Sequence, residues 1–386
     1  MKITRLFNEF FNSEKAGGLI LIACTVVSLV IANAGAGESY GQFWQSKLGG
    51  LSIEHWINDG LMAIFFLLIG LELEREIYKG ELSNIKDALL PLFGAIGGIV
   101  LPATIYFVFN AGTTTQSGIG IPVATDIAFA LGILSLLGNR VPLSLKIFLT
   151  ALAVIDDLFA ILVIAVFYTK SLVLTNLFIS LGIFAALLVF NRMKINSLAV
   201  YLTGGAAMWF FMLQSGVHAT ITGVLLAFAI PFGNGDEKSI SYKLQHFLHK
   251  PVAFFILPVF ALANTAIFLG PGISQTLTEN YSMGISLGLI VGKPLGIFLL
   301  SLLAVGFGIC KLPGDLNWKN ILGAGFLAGI GFTMSIFITL LAFEDNSIIN
   351  NAKFAILAAS LIAGLIGYFT LRITLKNEIG SSNNAN

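Results

Sequence analysis

Charged residues are scarce in this sequence: Asp, Glu, Lys and Arg together make up 11% of its 386 residues. So few charges do not cover the surface of a water-soluble protein of this length. The two cysteines, Cys24 and Cys310, stand alone in apolar segments without CxxC spacing, which argues against a disulfide framework and favours packing roles. Of the four histidines, His246 and His249 have i, i+3 spacing, but no third ligand recurs nearby, so we do not interpret them as a metal site.

The N-terminal segment lacks the pattern of a cleaved signal peptide. The charges of Lys2, Arg5, Glu9, Glu14 and Lys15 precede the first apolar run, and no small-residue cleavage site follows it. We therefore expect that run to be retained as a membrane span. The net charge of +1 says little about partners, and we expect neither a cofactor nor a nucleic-acid ligand.

Apolar residues dominate the chain, with 56% hydrophobic residues and a mean hydropathy of +0.91. Several apolar stretches approach or exceed the roughly 20 residues that a helix needs to cross a bilayer. The sequence therefore predicts an all-α polytopic membrane protein with about twelve transmembrane helices. The predicted spans cover residues 16–35, 57–74, 89–110, 118–137, 144–169, 173–190, 197–212, 215–231, 251–270, 281–306, 320–343 and 352–373.

The distribution of Lys and Arg over alternate loops supports this list, because cytoplasmic loops carry the excess of basic residues. One set of loops holds seventeen of them: Lys2, Arg5, Lys15, Arg75, Lys79, Lys86, Arg140, Lys146, Arg192, Lys194, Lys238, Lys243, Lys250, Lys311, Lys319, Arg372 and Lys376. The opposite set holds three, Lys47, Lys170 and Lys353. This asymmetry predicts a multi-pass protein of the bacterial inner membrane with both termini in the cytoplasm.

Residues 1–376 are expected to form a single transmembrane domain. The longest external loop, residues 36–55, contains aromatic residues between glycines and is predicted to form a small hairpin. The polar segment 377–386, rich in Asn and Ser, is predicted to be a disordered cytoplasmic tail.

Two predicted spans contain dense helix breakers at mid-depth. The fourth includes Gly118, Gly120 and Pro122 before Thr125, and the eleventh has four glycines between residues 323 and 331. Close GxxxG-type packing is one explanation. The two spans are seven apart, however, and an odd shift reverses the direction through the membrane. Interrupted helices in corresponding positions of inverted repeats indicate a midplane ion site.

Three acids lie at mid-depth in these predicted spans: Asp126 in the fourth, and Asp156 and Asp157 in the fifth. A charge at the bilayer centre costs at least about 2.5 kcal/mol, so three acids at one depth favour a function over packing. The mid-span base Lys293 can balance at most one of them, and we expect it to pair with Asp156. A proton, or a hard cation completed by oxygens such as that of Thr125, can neutralise the others. Because these two occupants exclude each other, the pattern favours cation/proton exchange, with Asp156 and Asp157 as ligands of a small hard cation.

Several further ionisable residues leave alternatives open. Asp59, at the outer end of the second span, is either a residue of an access path or only interfacial. Glu72, Arg75 and Glu76 belong to a helix end of alternating charge, a pattern that is usually a solvated face. His218 is a candidate for titration near neutral pH, as are His246 and His249, although a lone histidine is more often structural.

These residues resemble the NhaA-type bacterial sodium/proton antiporter family over almost the whole chain. The resemblance is carried by the following segments: Asn58–Phe66 (NDGLMAIFF), Gly70–Glu72 with Arg75–Glu76, Ala124–Phe129 (ATDIAF), Ile155–Leu158 (IDDL), Val217–Thr220 (VHAT), Gly292–Pro294 (GKP) and Gly329–Ser335 (GIGFTMS).

The resemblance implies twelve helices with crossed, interrupted helices four and eleven. It also implies cation binding at Asp157 with Asp156, aided by Asp126 and Thr125, and a charge-balancing role for Lys293. Regulation by cytoplasmic pH is implied for the positions Glu72, Arg75, Glu76, His218, His246 and His249. A homodimer through the external loop is a further implication.

Two positions depart from the family pattern: Glu74 stands where Lys is expected, and Gln245 stands where Glu is expected before His246. Both departures alter titratable charge outside the transport site. If deprotonation of the cluster accompanies activation, we expect this protein to become active at a lower pH than relatives that carry Glu.

Two other classes of function compete with a transporter that exchanges sodium or lithium for protons. A passive sodium channel would use the same acids without proton coupling. An intramembrane aspartyl protease also needs two buried acids, but it carries them in Tyr-Asp and Gly-x-Gly-Asp settings, whereas Asp126 follows Thr125 and Asp157 follows Asp156. We therefore expect a non-enzymatic protein whose partners are the ions, the lipid bilayer and a second copy of the chain.

Overall fold

The structure, a computed structural model, describes residues 2–169, 172–270 and 273–382, so that the predicted external residue Lys170 lies outside the described part. The described chain is almost entirely helical. Its helices are α1 (Lys2–Asn33), α2 (Gly37–Gln45), α3 (Ile53–His55), α4 (Met62–Lys79), α5 (Ile85–Asn110), α6 (Ile127–Ser135), α7 (Leu143–Phe167), α8 (Leu174–Arg192), α9 (Leu198–Leu213), α10 (Ile221–Ala229), α11 (Ile240–Pro251), α12 (Leu257–Asn264), α13 (Ile273–Thr276), α14 (Asn280–Leu287), α15 (Lys293–Gly306), α16 (Trp318–Ala328), α17 (Phe332–Ala342) and α18 (Asn346–Ser382).

Short segments of other helix types join these elements. Turns of 3₁₀-helix cover Glu81–Ser83, Gln116–Val123 and Gly138–Arg140, and π-helical turns cover Trp56–Leu61, Val252–Ile256 and Gly288–Gly292. The π-helical turns connect α3 to α4, α11 to α12, and α14 to α15, so each pair forms one continuous span. Wide turns of this kind are frequent at functional sites, and the last of them directly precedes Lys293.

Nine helical segments within the described ranges are long and apolar enough to cross a membrane, and the bent pair α16 and α17 makes a tenth. The nine are Ala16–Asn33, Ile53–Lys79, Lys86–Asn110, Gln116–Ser135, Leu143–Ala165, Leu174–Arg192, Ile240–Asn264, Asn280–Gly306 and Asn346–Leu375. The predicted spans at 197–212 and 215–231 correspond to α9, with 16 residues, and α10, with nine. A nine-residue helix is about 13 Å long, so the number of twelve spans stays a prediction, while the polytopic all-α class is confirmed.

The loop predicted to be external contains α2 and a two-stranded antiparallel hairpin, β1 (Lys47–Leu48) and β2 (Leu51–Ser52). Gly49 and Gly50 form its turn with φ of 62° and 94°, a left-handed backbone that favours glycine. At the other end of the chain, α18 continues through Ser382, so residues 377–382 of the segment expected to be disordered are helical. Residues 383–386 lie outside the described part.

Close helix packing places Lys293 inside the bundle. A Cβ atom added to Gly97 on α5 would lie 2.0 Å from the Gly296 carbonyl oxygen, so the two backbones approach as closely as only glycine permits. The wide turn Gly288–Gly292 directly precedes Lys293, and Pro294 has no amide hydrogen to donate. At this start of α15 the Lys293 side chain is completely buried.

Candidate ion-binding site

The candidate site begins with two breaks in helical structure that face each other. Gln116–Val123 ends in extended backbone at Ala124, and α6 starts only after Asp126. Gly118, Gly120 and Pro122 make this segment a poor α-helix. The second break, residues 329–331, separates α16 from α17, whose axes differ by 46°.

Hydrogen bonds connect the two breaks. The Asp126 amide donates to the Ile330 carbonyl oxygen at 2.7 Å, and Thr125 Oγ1 lies 2.9 Å from the Ala328 carbonyl oxygen. Ser335 Oγ donates to the Ile121 carbonyl oxygen at 2.7 Å. Backbone groups that the breaks release from helical pairing thus find partners inside the protein, as a membrane interior requires.

Asp126 caps two helices at once. Its Oδ1 accepts from the Phe129 amide at 2.9 Å, at the start of α6. Its Oδ2 accepts from the amide and the hydroxyl of Thr333, at 3.0 and 2.5 Å, at the start of α17. Both helix N-termini favour a negative charge at this position. The carboxylate is therefore saturated with donors and joins the two breaks.

Asp156, on α7, has partners on one of its two oxygens. Lys293 Nζ lies 2.8 Å from Asp156 Oδ2, and Thr125 Oγ1 lies 2.7 Å from the same oxygen. Lys293 Nζ also donates to the carbonyl oxygen of Val123, in the first break. The amino group therefore links α7 to the interrupted segment before α6.

Asp157 differs from its neighbour in having no such partners. Its side chain is 1% exposed, and neither carboxylate oxygen has a hydrogen-bond partner among the described residues; the same holds for Asp156 Oδ1. Electrostatic repulsion from Asp156 and Asp126 and attraction to Lys293 act on it. The structure thus brings three acids and one base together, with one acid left without a contact that compensates its charge.

The predicted pH-regulation residues lie at another position, where the end of α4 meets α11. Glu72 Oε1 lies 3.5 Å from His249 Nε2, and Arg75 Nη1 donates to Gln245 Oε1 at 3.3 Å. The Arg75 guanidinium stands 5.0 Å above the Tyr242 ring. The rings of Tyr242 and His246 are stacked at 6.3 Å, and the half-buried Glu76 follows on the same helix end.

Asp59 and His218 make different contacts from these two groups of residues. Asp59 Oδ2 pairs with His55 Nε2 at 3.0 Å, and its carbonyl oxygen accepts from the Trp209 indole at 3.0 Å. His218 Nε2 lies 2.8 Å from the Tyr168 carbonyl oxygen. The resemblance implies a role in pH regulation for His218 together with the residues between α4 and α11. In the structure, His218 lies apart from that cluster.

Thr333 and Ser335 were not predicted as site residues, although both stand in the motif Gly329–Ser335. Their hydroxyl contacts with the opposite break were not evident from spacing alone. Within residues 2–169, 172–270 and 273–382, no group of three His, Cys, Asp or Glu side chains is arranged to hold a metal ion.

The fold and the site together define a multi-pass membrane protein with ionisable groups buried between interrupted helices, an arrangement typical of secondary transporters. The sequence pattern of the family Na+/H+ antiporter 1 matches residues 8–371. The chain belongs to this family, which confirms the resemblance predicted from the motifs.

Named relatives cover the chain from end to end. It is similar to the Na(+)/H(+) antiporter NhaA of Flavobacterium psychrophilum, with 73% identity over 100% of both chains. It is also similar to proteins of the same name from Cytophaga hutchinsonii, with 60% identity over 99% of this chain and 98% of the relative, and from Dechloromonas aromatica, with 61% identity over 98% of both chains.

Proposed function

We propose that this chain exchanges cytoplasmic sodium or lithium for external protons across the bacterial inner membrane, with both termini in the cytoplasm. The observation that carries the proposal is Asp157, a buried carboxylate without a hydrogen-bond partner among the described residues. An uncompensated buried charge costs about 3–5 kcal/mol, so a proton or a small cation neutralises this group. The family and the names of the relatives support sodium as that cation.

The two occupants of Asp157 exclude each other. A sodium ion bound there requires several oxygen ligands, and Asp156 Oδ1 is a second carboxylate oxygen without a described partner. When the proton leaves, the ion takes its place, and a proton that arrives from the other side displaces the ion. Competition at one carboxylate pair therefore couples the two fluxes.

Thr125 supports a proton-carrying role for Asp156. Its hydroxyl has one hydrogen to donate, yet it lies within hydrogen-bond distance of both Asp156 Oδ2 and the Ala328 carbonyl oxygen. With Asp156 ionised, the hydroxyl donates to the carboxylate. With Asp156 protonated, the acid donates to Thr125, which turns its hydrogen to Ala328. The Thr125 hydroxyl thus has a hydrogen-bond partner in both states without a helix movement.

Alternating access follows from the two breaks, which we propose belong to crossing helices in an inverted repeat. Their ends contact each other through Asp126 and Thr333, so a rearrangement of one break shifts the other. Exchange is expected to be electrogenic, because two carboxylates release more than one proton when a single ion binds. Asp59 is proposed to lie on the external access path.

Regulation by cytoplasmic pH is assigned to Glu72, Arg75, Glu76, His246 and His249, with His218 as a further titratable residue. The contacts between Glu72 and His249 and between Arg75 and Gln245 support this assignment. They join α4 to α11, and the contact between Glu72 and His249 includes an imidazole, whose charge changes with pH. The chain is further proposed to form a homodimer through the hairpin Lys47–Ser52.

The test is transport by reconstituted protein in proteoliposomes that contain a pH-sensitive dye. A sodium gradient should drive proton movement in the wild type, and collapsing the membrane potential with a potassium ionophore should change its rate. Asp157→Asn should abolish the coupled movement. Asp345→Asn is the matched control. Asp345 is exposed, and its Oδ1 accepts a hydrogen bond from the Ser347 amide that the Asn side chain can also accept. Near-normal exchange by Asp157→Asn would refute the site, and sodium flux without proton movement in the wild type would indicate a passive channel.

A further inference from the structure

A second polar site lies apart from the transport carboxylates, where the ends of α4 and α8 meet the segment after α10. A cavity of about 650 Å³ opens there. Its lining includes Glu74, Tyr78, Lys79, Asn191, Phe228 and Phe232. None of these residues belongs to the interrupted helices or to the cluster between α4 and α11.

Glu74 is the unusual member of this lining. Its side chain is 5% exposed, and its Oε2 has no hydrogen-bond partner among the described residues. Two residues along an α-helix correspond to a rotation of about 200°, so Glu74 faces away from Glu72 and the α11 cluster. A buried carboxylate without a partner is costly. It is best satisfied by a group that is positively charged and donates hydrogen bonds.

The walls of the cavity suit a cation of this kind. The rings of Tyr78 and Phe232 lie 5.1 Å apart at an angle of 37°, and Phe228 also lines the cavity. Aromatic faces attract ammonium groups by about 0.5–2 kcal/mol, depending on how far the group is removed from water. Asn191 donates its amide hydrogen to the Ala229 carbonyl oxygen at 3.0 Å, which leaves its side-chain oxygen as a further acceptor.

Lys79 adds a positive charge to the lining of an otherwise acidic and aromatic cavity. It is exposed, and no ion-pair partner for it occurs within the described part of the chain. A simple cation would be repelled by this ammonium group. A ligand that joins an ammonium group to an anionic group satisfies Glu74 and Lys79 together.

The position of the cavity suits a component of the membrane. α8 lies at the periphery of the bundle, because only 11% of its residues are buried inside the protein. The cavity adjoins the end of α8 at Asn191 and Arg192, on the side where basic residues accumulate. Phospholipid headgroups lie at the depth of such helix ends.

We propose that this cavity binds a primary ammonium group linked to a phosphate, the chemistry of ethanolamine phosphate. The ammonium group pairs with the Glu74 carboxylate beside the rings of Tyr78 and Phe232, and Lys79 contacts the phosphate. A zwitterionic phospholipid headgroup and free ethanolamine phosphate share this chemistry. The inference does not rest on the proposed transport function, because Glu74 lies outside the transport site.

The test measures lipid binding to the purified full-length protein by native mass spectrometry. Phosphatidylethanolamine is compared with phosphatidylcholine and phosphatidylglycerol of the same acyl chains. The wild type should bind phosphatidylethanolamine about tenfold more tightly than phosphatidylcholine, because a trimethylammonium group has no hydrogen to donate to a carboxylate. Glu74→Gln should lose that preference, and the exposed Glu237→Gln on the adjacent loop is the matched control that should keep it.

A second variant keeps the test decisive if Glu74→Gln does not fold. Lys79→Gln, at an exposed position, should weaken phosphatidylethanolamine binding without abolishing its preference over phosphatidylcholine. Competition by soluble ethanolamine phosphate at the same site would identify the free compound as the ligand, and no competition would identify the headgroup. Equal binding of the ethanolamine and choline lipids by the wild type would overturn the proposal, and so would an unchanged preference in a folded Glu74→Gln protein.

Discussion

The contact between Lys293 and Asp156 allows a quantitative test of how the transport site is held together. Lys293 Nζ lies 2.8 Å from Asp156 Oδ2, and both side chains are completely buried. Removal of one partner from a buried ion pair leaves the other charge uncompensated and costs about 3–5 kcal/mol. We expect a loss of this size in the free energy of unfolding for Lys293→Met and, separately, for Asp156→Asn.

The double variant distinguishes a coupled pair from two independent residues. If the two costs were independent, they would add to about 6–10 kcal/mol. Because the double variant buries neither charge, we expect a loss close to that of one single variant, and hence a coupling energy of about 3 kcal/mol or more. Lys293 also donates to the Val123 carbonyl oxygen, so some cost of the lost lysine should remain in the double variant.

The assay is unfolding by increasing SDS in mixed micelles, followed by the fluorescence of the four tryptophans. A comparison cycle on Glu54 and Lys353, whose charged atoms are 4.0 Å apart, should give a smaller coupling energy because its geometry is looser. Single variants that each cost less than about 1 kcal/mol, or additive costs in the double variant, would refute the interpretation of Lys293 as a charge-balancing residue.

Three further predictions concern the contacts around the site. Thr333→Val removes one of the two hydrogen bonds that the start of α17 makes to Asp126, and it should lower the free energy of SDS unfolding by about 1.5–3 kcal/mol. Thr333→Ser keeps the hydroxyl and should retain most of the stability. Equal losses in the two variants would contradict the role of the hydroxyl. Gln245→Glu places a carboxylate beside Arg75 and favours protonated histidines in the cluster. The pH profile of exchange, measured at saturating sodium, should therefore shift to higher pH in this variant. Superimposable profiles of variant and wild type would place the pH response at the transport carboxylates. Deletion of residues 47–52 should convert dimers to monomers on native gels while exchange is retained, and an unchanged dimer would place the interface elsewhere.

Much of the architecture is already evident in the sequence, because a membrane constrains segments directly. A helix that crosses lipid needs about twenty apolar residues, so the hydropathy of the chain predicts the positions of its spans. Acids inside such spans are costly, which identified Asp126, Asp156 and Asp157 without any structure. The helix breakers near Pro122 and Gly331 predicted both interruptions for the same reason, since freed backbone groups must find partners within the protein.

The span count was harder to predict, because hydropathy does not report where a helix begins. The apolar segment 215–231 contains a nine-residue helix, α10, that starts only after a turn at Gly216 with φ of 84°. Polar residues such as those of 377–382 continue a helix when α18 already provides the preceding turns.

Only the tertiary structure decides which groups in the site contact each other. Neighbouring residues on a helix point about 100° apart, so the sequence could not determine that Asp156 has Lys293 and Thr125 as partners while Asp157 has none among the described residues. The saturation of Asp126 by two helix N-termini also depends on the meeting of α6 and α17, which are separated by about two hundred residues of chain. Glu74 is the clearest case: in the sequence it is one charge among several on a helix end, and only the packing of α4 against α10 makes it a buried carboxylate.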